Sequence, residues 1–227
     1  MLEYDKCFLI NLDRHPDRLK HMAQFKDLFK FERFKAFDGL EMDRDNLPFG
    51  LKIPDITFKN APGRLGCWLS HYALWRKIAS SDISTALILE DDILMFKHLA
   101  YHAKVLNEAV KEADILYLGC GLLHHFQEKI PIYPHRLPCI YRVEKPLGTY
   151  AYLIRNEAAA KLVSQLAKDG IKEVIDQQMR TANLDLQVCL PPFCRPIVKP
   201  GWSSTDQIVK ASAPGPENSK EQVEDGR

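Results

Sequence analysis

The sequence predicts an α/β fold, a parallel-dominated mixed sheet flanked by helices. Short apolar runs alternate with helix-spaced segments as far as Leu118. The first strand, helix and second strand are complete by Phe37, the compass of a βαβ unit, which implies parallel strands covered by helices. The composition, 46% apolar and 27% charged, is that of an ordinary soluble globular chain. A chain of 227 residues is long enough to hold a core without disulfides or a structural metal. With 31 basic against 30 acidic residues the formal charge is +1, so no net field draws it to nucleic acid or an anionic membrane.

Taken in order, Cys7-Phe8-Leu9-Ile10 reads as a buried strand running into Asn11-Leu12. Asp13 is placed to cap the following helix, with Pro16 in its first turn and Leu19, Met22, Phe25 and Phe29 on one face. Arg33–Phe37 is the second strand, stopped by Asp38-Gly39. Residues 40–63 have no usable period and carry Pro48, Gly50, Pro54, Pro62 and Gly63; a connection this long points to a functional loop. Helical spacing of Leu65, Trp68, Leu69, Tyr72, Trp75 and Ala79 follows. Ala86–Leu89 is a fully apolar strand that ends abruptly at Glu90-Asp91-Asp92.

A helix carrying Leu99, Ala103, Leu106 and Val110 leads to the strand Ile115–Leu118, closed by Gly119. Residues 119–138 read as loop, and strands are expected at Ile140–Val143 and Thr149–Ile154. Asn156 is placed to cap a helix that Gly170 ends; a short helix over 173–182 and a strand at Leu186–Leu190 complete the domain. Residues 1–210 are expected to form one domain, and the Pro, Gly, Ser and charge-rich residues 211–227 a disordered tail.

No stretch is long and apolar enough for an integral membrane segment, and Met1–Asp5 has no signal-peptide character, so the expected location is cytoplasmic. The six cysteines form no CxxC pair and no zinc-spaced cluster, and buried free thiols are expected, Cys67 among them as a packed helix thiol.

The sharpest chemical feature is Glu90-Asp91-Asp92. Carboxyl ends of strands in open α/β sheets face the ligand crevice. Alternation along extended chain puts Glu90 and Asp92 on one face, where hard oxygen ligands suit Mg2+ or Mn2+ carrying substrate phosphates. The competing reading is an acidic turn in which Asp92 caps the next helix. Ser70 and His71 diverge by about 100° on a helix and make no catalytic couple; His71 bonds either the phosphate crevice or a backbone group. Gly119-Cys120-Gly121 lacks the last glycine of a dinucleotide loop, and no GxxxxGK or GxSxG occurs. Asp176, beside Val174 and Ile175, is a candidate general base.

Seven segments together resemble glycosyltransferase family 25. They are INLDRHPDR from Ile10, FKAFDG from Phe34, GRLGCWLSHYALW from Gly63, ALILEDD from Ala86, DILYLG from Asp114, GTYAYLI from Gly148, and Val174-Ile175-Asp176. The resemblance spans about residues 6–200. It implies a GT-A-like domain binding a nucleotide sugar, and transfer of a sugar, galactose from UDP-galactose, with inversion. It places Glu90 and Asp92 on Mn2+ or Mg2+, with Asp92 the direct ligand, and makes Asp176 the base. Asn11, Asp13, Arg14 and Arg18 would lie by the uridine and diphosphate, with Asp38, His71 and Asp91 in the same donor site. No histidine follows position 135 to supply the third metal ligand that some GT-A enzymes take from a C-terminal histidine; either Asp206 substitutes for it or water and the diphosphate fill the shell. The acceptors implied are a lipopolysaccharide glycan or a hydroxylysine of a collagen-like chain. Two other classes stand beside this one: a metal-dependent phosphoester hydrolase, which lacks the further strand-end carboxylates it needs, and a non-catalytic nucleotide-sugar binding module.

Overall fold

The computed structural model describes residues 1–53, 61–121, 126–129 and 139–197. Its main sheet runs β2-β1-β3-β8-β5-β9-β7-β6. The strands are β1 (Lys6–Asn11), β2 (Phe31–Lys35), β3 (Thr85–Glu90), β5 (Ile115–Gly121), β6 (Phe126–Lys129), β7 (Cys139–Val143), β8 (Leu147–Arg155) and β9 (Leu186–Leu190). β4 (Ile93–Met95) and β10 (Cys194–Pro196) form a separate antiparallel ribbon. The α/β expectation holds. Six strands of the main sheet run one way and β7 and β8 the other, and each reversed strand is antiparallel to both neighbours.

Alternation divides the core. Phe8, Ile88, Tyr117, Tyr152 and Val188 face one side of the sheet, beneath α2 (Pro62–Ala79), α4 (Asn156–Asp169) and α5 (Ile175–Met179). Leu9, Leu87, Leu116, Leu153 and Cys189 face the other, beneath α1 (Pro16–Met22) and α3 (Ala103–Glu112). A strand covered on both faces has no polar side to show, so β3 reads as an unbroken apolar run.

α2 starts with Pro62 at its first position, where a missing N–H costs nothing. Trp68, Tyr72 and Trp75 on it are fully buried. Each removes about 150–250 Å² from water, an upper bound of about 4–6 kcal/mol apiece. Gly66 lets α2 lie directly on the chain after β2: a Cβ there would sit 2.4 Å from the Phe37 carbonyl oxygen.

The chain passes from β1 through α1 to β2 on one side, then through α2 to β3 on the other, so strand order reverses between β1 and β3. The carboxyl ends of strands at such a switch point border the ligand crevice. Asn11 and Glu90 end those two strands, with Ile10 in register with Glu90.

Several expectations are corrected. Asp13 does not cap α1: His15 occupies the cap position, and Asp13 lies exposed, paired with Arg33 and Lys35. Asn156 is the first residue of α4, not its cap, and its amide donates to the carbonyls of Ile78, Ser81 and Ile83 instead. Asp92 caps no helix, because β4 follows it at once. Gly119–Gly121 continue β5, and 126–129 are a strand where loop was expected. β4 and β10 have no counterpart in the sequence reading, since three-residue strands leave no countable period. Gly170, at φ 70°, ends α4 as expected. No described helix is long and apolar enough to cross a membrane. The proposed tail, 211–227, lies outside the described residues.

Candidate active site

At the switch point a narrow cleft, open at its mouth, is walled by Asn11, Arg14, Arg18, His71 and all three carboxylates of Glu90-Asp91-Asp92. The carboxylates differ in what they touch. Asp91 turns inward: Asn11 Nδ2 donates to its Oδ2 at 2.6 Å, and Arg18, 3% exposed, bonds its Oδ1 at 3.1 Å. Burial raises the Asp91 carboxyl above its ordinary range, with Arg18 and Asn11 opposing that rise.

Glu90 and Asp92 keep part of their carboxylates open to the cleft, as alternation predicts. Asp92 has Arg18 at 3.8 Å. Burial, then the charges of Glu90 and Asp91, push its carboxyl up to about 7. Glu90 Oε1 accepts from Thr149 Oγ1 and lies 3.3 Å from His71 Nε2. Burial opposes its ionisation, but the His71 and Thr149 bonds outweigh it and hold Glu90 below the usual carboxylate range. Adjacent buried carboxylates facing one cleft are a hard-oxygen set short of positive charge, which fits a divalent cation.

Of the expected donor-site residues, Asn11, Arg14, Arg18, His71 and Asp91 come together here. Asp38 is one step back, bonded at 2.8 Å to Arg14 Nε, so it orients that guanidinium. Asp13 does not line the cleft; Arg33 and Lys35 hold it in an exposed position after β1. Asp206 lies outside the described residues.

Asp176 borders a second pocket with Arg64, Leu147, Gly148, Thr149 and Tyr150. Its Oδ2 accepts the Gly148 N–H at 2.8 Å and its Oδ1 the Gln177 N–H at 2.9 Å. Cys67 and Glu90 border both pockets, so the two share a wall. Cys67 is therefore a half-buried cleft thiol, where the sequence suggested a packed one. Cys7, Cys67, Cys120, Cys189 and Cys194 are all free thiols, as expected.

The sequence reading assigned no role to Thr149, Tyr152 or Trp75. Thr149 and Tyr152 reach the site from β8, 59 and 62 residues beyond Glu90, and no local spacing signals that.

The family model for glycosyltransferase family 25 (LPS biosynthesis protein) matches residues 4–179. A Drosophila pseudoobscura glycosyltransferase 25 family member is 36% identical over 131 residues, 52% of this chain and 21% of that protein. Human procollagen galactosyltransferase 2 is 25% identical over 175 residues, 70% of this chain and 27% of that protein. The chain thus spans between about a fifth and a little over a quarter of these relatives. Among solved structures, the galactosyltransferase LgtC in complex with donor and acceptor sugar analogs aligns with a TM-score of 0.45 at 12% identity, covering 81% of this chain and 72% of that one. The family match takes in the strand-end carboxylates, the α2 segment that faces them and all of α5, and on that match the chain belongs to glycosyltransferase family 25.

Proposed function

We propose that this chain is the catalytic core of a metal-dependent inverting glycosyltransferase that moves galactose from UDP-galactose to a hydroxyl of a glycan or collagen-like acceptor. The carrying observation is the convergence of Glu90, Asp92 and Arg14 on one cleft at the β1/β3 switch point, in a chain of this family. Glu90 and Asp92 would hold Mn2+ or Mg2+, which when bound neutralises the leaving diphosphate. Arg14, held by Asp38, contributes a fixed cation to the same anion. Asn11 and Arg18 keep Asp91 buried and so fix the turn that presents its two neighbours.

Inversion needs the acceptor hydroxyl to attack from the face opposite the leaving group and to lose its proton there. Asp176, in the pocket across the shared wall, is the base. Its two backbone bonds fix the carboxylate while each oxygen keeps a second lone pair for the incoming proton. The second pocket then takes the acceptor sugar. The family description names lipopolysaccharide biosynthesis and the human relative's name procollagen, which are the two acceptor classes to screen.

The test is thermal denaturation with UDP, with and without Mn2+, on wild type and Asp92→Ala. Ligand at a hundred times its Kd adds about 2.7 kcal/mol, a rise of roughly 5–10 °C. The expected rise needs UDP and metal together and is lost in Asp92→Ala. No rise with both sinks the UDP-sugar reading, and binding without turnover on any sugar acceptor favours a binding module instead.

A further inference from the structure

Glu90 is held from behind by a buried chain of hydrogen bonds whose direction one residue dictates. Trp75 Nε1 lies 2.9 Å from the Tyr152 hydroxyl, and that hydroxyl lies 2.8 Å from His71 Nδ1. His71 Nε2 is 3.3 Å from Glu90 Oε1. Trp75 and Tyr152 are fully buried and His71 nearly so, which leaves no bulk water to exchange partners.

An indole N–H can only donate, so the Tyr152 oxygen accepts from Trp75. The hydroxyl proton then has one acceptor among the described residues, His71 Nδ1. Were Nδ1 protonated instead, two N–H groups would point at the Tyr152 oxygen and its own proton would be buried without a partner, at the full desolvation cost of a lost bond. The network thus assigns a bare Nδ1 and a proton on Nε2, directed at Glu90. Thr149 donates to the same Oε1, and no described residue donates to Oε2.

We propose that Trp75 and Tyr152 are positioning residues of the donor site: acting through His71, they anchor Glu90 Oε1 and leave Oε2 as the single oxygen offered to a divalent cation. This rests on the reading of Glu90 as a cation ligand. It also decides a competing use of the same atoms. Cys67 Sγ, a His71 ring nitrogen and a Glu90 oxygen lie within 4.8 Å of one another, a set that zinc could take. Zinc needs the Nε2 lone pair, which this tautomer withholds.

Long-range 1H–15N correlation on the full chain without ligand reads the tautomer directly. A protonated Nε2 and bare Nδ1 on His71 are expected, and the opposite tautomer overturns the proposal. Mn2+ affinity is then read from the spin resonance of free Mn2+ in the presence of UDP. Tyr152→Phe, which keeps the ring and loses the proton, should weaken Mn2+ by about 10- to 100-fold. His71→Ala should do the same, and His71→Gln, whose amide can still donate to Glu90, should recover most of the loss. A Mn2+ affinity within twofold of wild type in Tyr152→Phe, or in His71→Ala, overturns the inference alone. A wild type that binds no Mn2+ with UDP overturns the donor reading and this inference with it. A thiolate-to-metal absorption band on adding Co2+, lost in Cys67→Ser and again in His71→Ala, would place a soft-metal site on His71 and likewise overturn it.

Discussion

Asn11, the last residue of β1, donates a 2.6 Å hydrogen bond to Asp91, the first residue beyond β3, and so ties together the two strand ends that border the cleft. Arg18 bonds the other oxygen of Asp91 from α1. Removing Arg18 leaves a buried carboxylate without its counter-charge, a loss of about 3–5 kcal/mol. Removing Asn11 deletes one bond to a charged group, about 1.5–3 kcal/mol. Arg18→Ala should therefore lower the melting temperature more than Asn11→Ala, by roughly 10 °C in the first case. Asp91→Asn in the Arg18→Ala background should recover part of the loss. Equal effects of the two single substitutions would contradict the Arg18–Asp91 pair as the main tie.

Asp92 illustrates a site held at the expense of stability. It is crowded against Glu90 and Asp91, and burial and those charges push it up to about 7. Replacing its carboxylate by an amide of the same shape removes that repulsion. Asp92→Asn should therefore melt higher than wild type in the presence of a chelator at neutral pH, by several degrees. The same variant should lose the gain that Mn2+ and UDP give to wild type. An Asp92→Asn protein that is less stable than wild type without metal would show that Arg18 already compensates the charge.

Much of the framework could be read from residue pattern, and the reasons are local. β1, β3 and β5 are apolar runs ending at polar or glycine residues, and α2 carries its aromatic residues at helix spacing. The acidic turn is legible because three adjacent carboxylates close an otherwise apolar strand, at the strand end that borders the crevice of an open α/β sheet. What the pattern did not carry was tertiary. Asp13 looks like a cap, yet Arg33 and Lys35, brought alongside by parallel β2, offer it two ion pairs that a cap position does not. Thr149 and Tyr152 sit on a strand whose alternation says only that they alternate; that β8 lies antiparallel to β3, facing His71, is a property of the sheet order.

Asp114 sets a pH dependence remote from the cleft. Burial opposes its ionisation, yet the Asp185 N–H, Arg155 and Lys161 outweigh it and hold its carboxyl below the ordinary range. The bonds measure 3.0 Å to the Asp185 nitrogen, 3.0 Å to Arg155 and 3.5 Å to Lys161. A carboxyl with a lowered folded pKa stabilises the fold above its unfolded pKa of about 3.9, and that stability is lost as pH falls through the folded value. Asp114→Asn should thus be less stable than wild type at pH 7, by about 1–2 kcal/mol. The gap should hold down to about pH 4 and close below it. Urea denaturation across that range measures it; a constant gap through pH 3 would mean the cost is packing, not charge.

Gly66 reverses the usual rule for glycine in a helix. In mid-helix, Gly→Ala ordinarily gains about 0.5–1 kcal/mol. Here an added Cβ would meet the Phe37 carbonyl oxygen at 2.4 Å and the Gly39 nitrogen at 2.9 Å. Both are backbone atoms, which cannot rotate aside as a side chain would. α2 would have to lift from the 37–39 segment, and Phe37, Gly39, Gly66 and Cys67 all border the cleft. Gly66→Ala should therefore destabilise by about 1–3 kcal/mol, the range of overpacked cores, and should weaken UDP binding as the cleft wall shifts. If Gly66→Ala gained stability, the close approach of α2 to the β2 exit would be wrong, and with it the shape of the cleft.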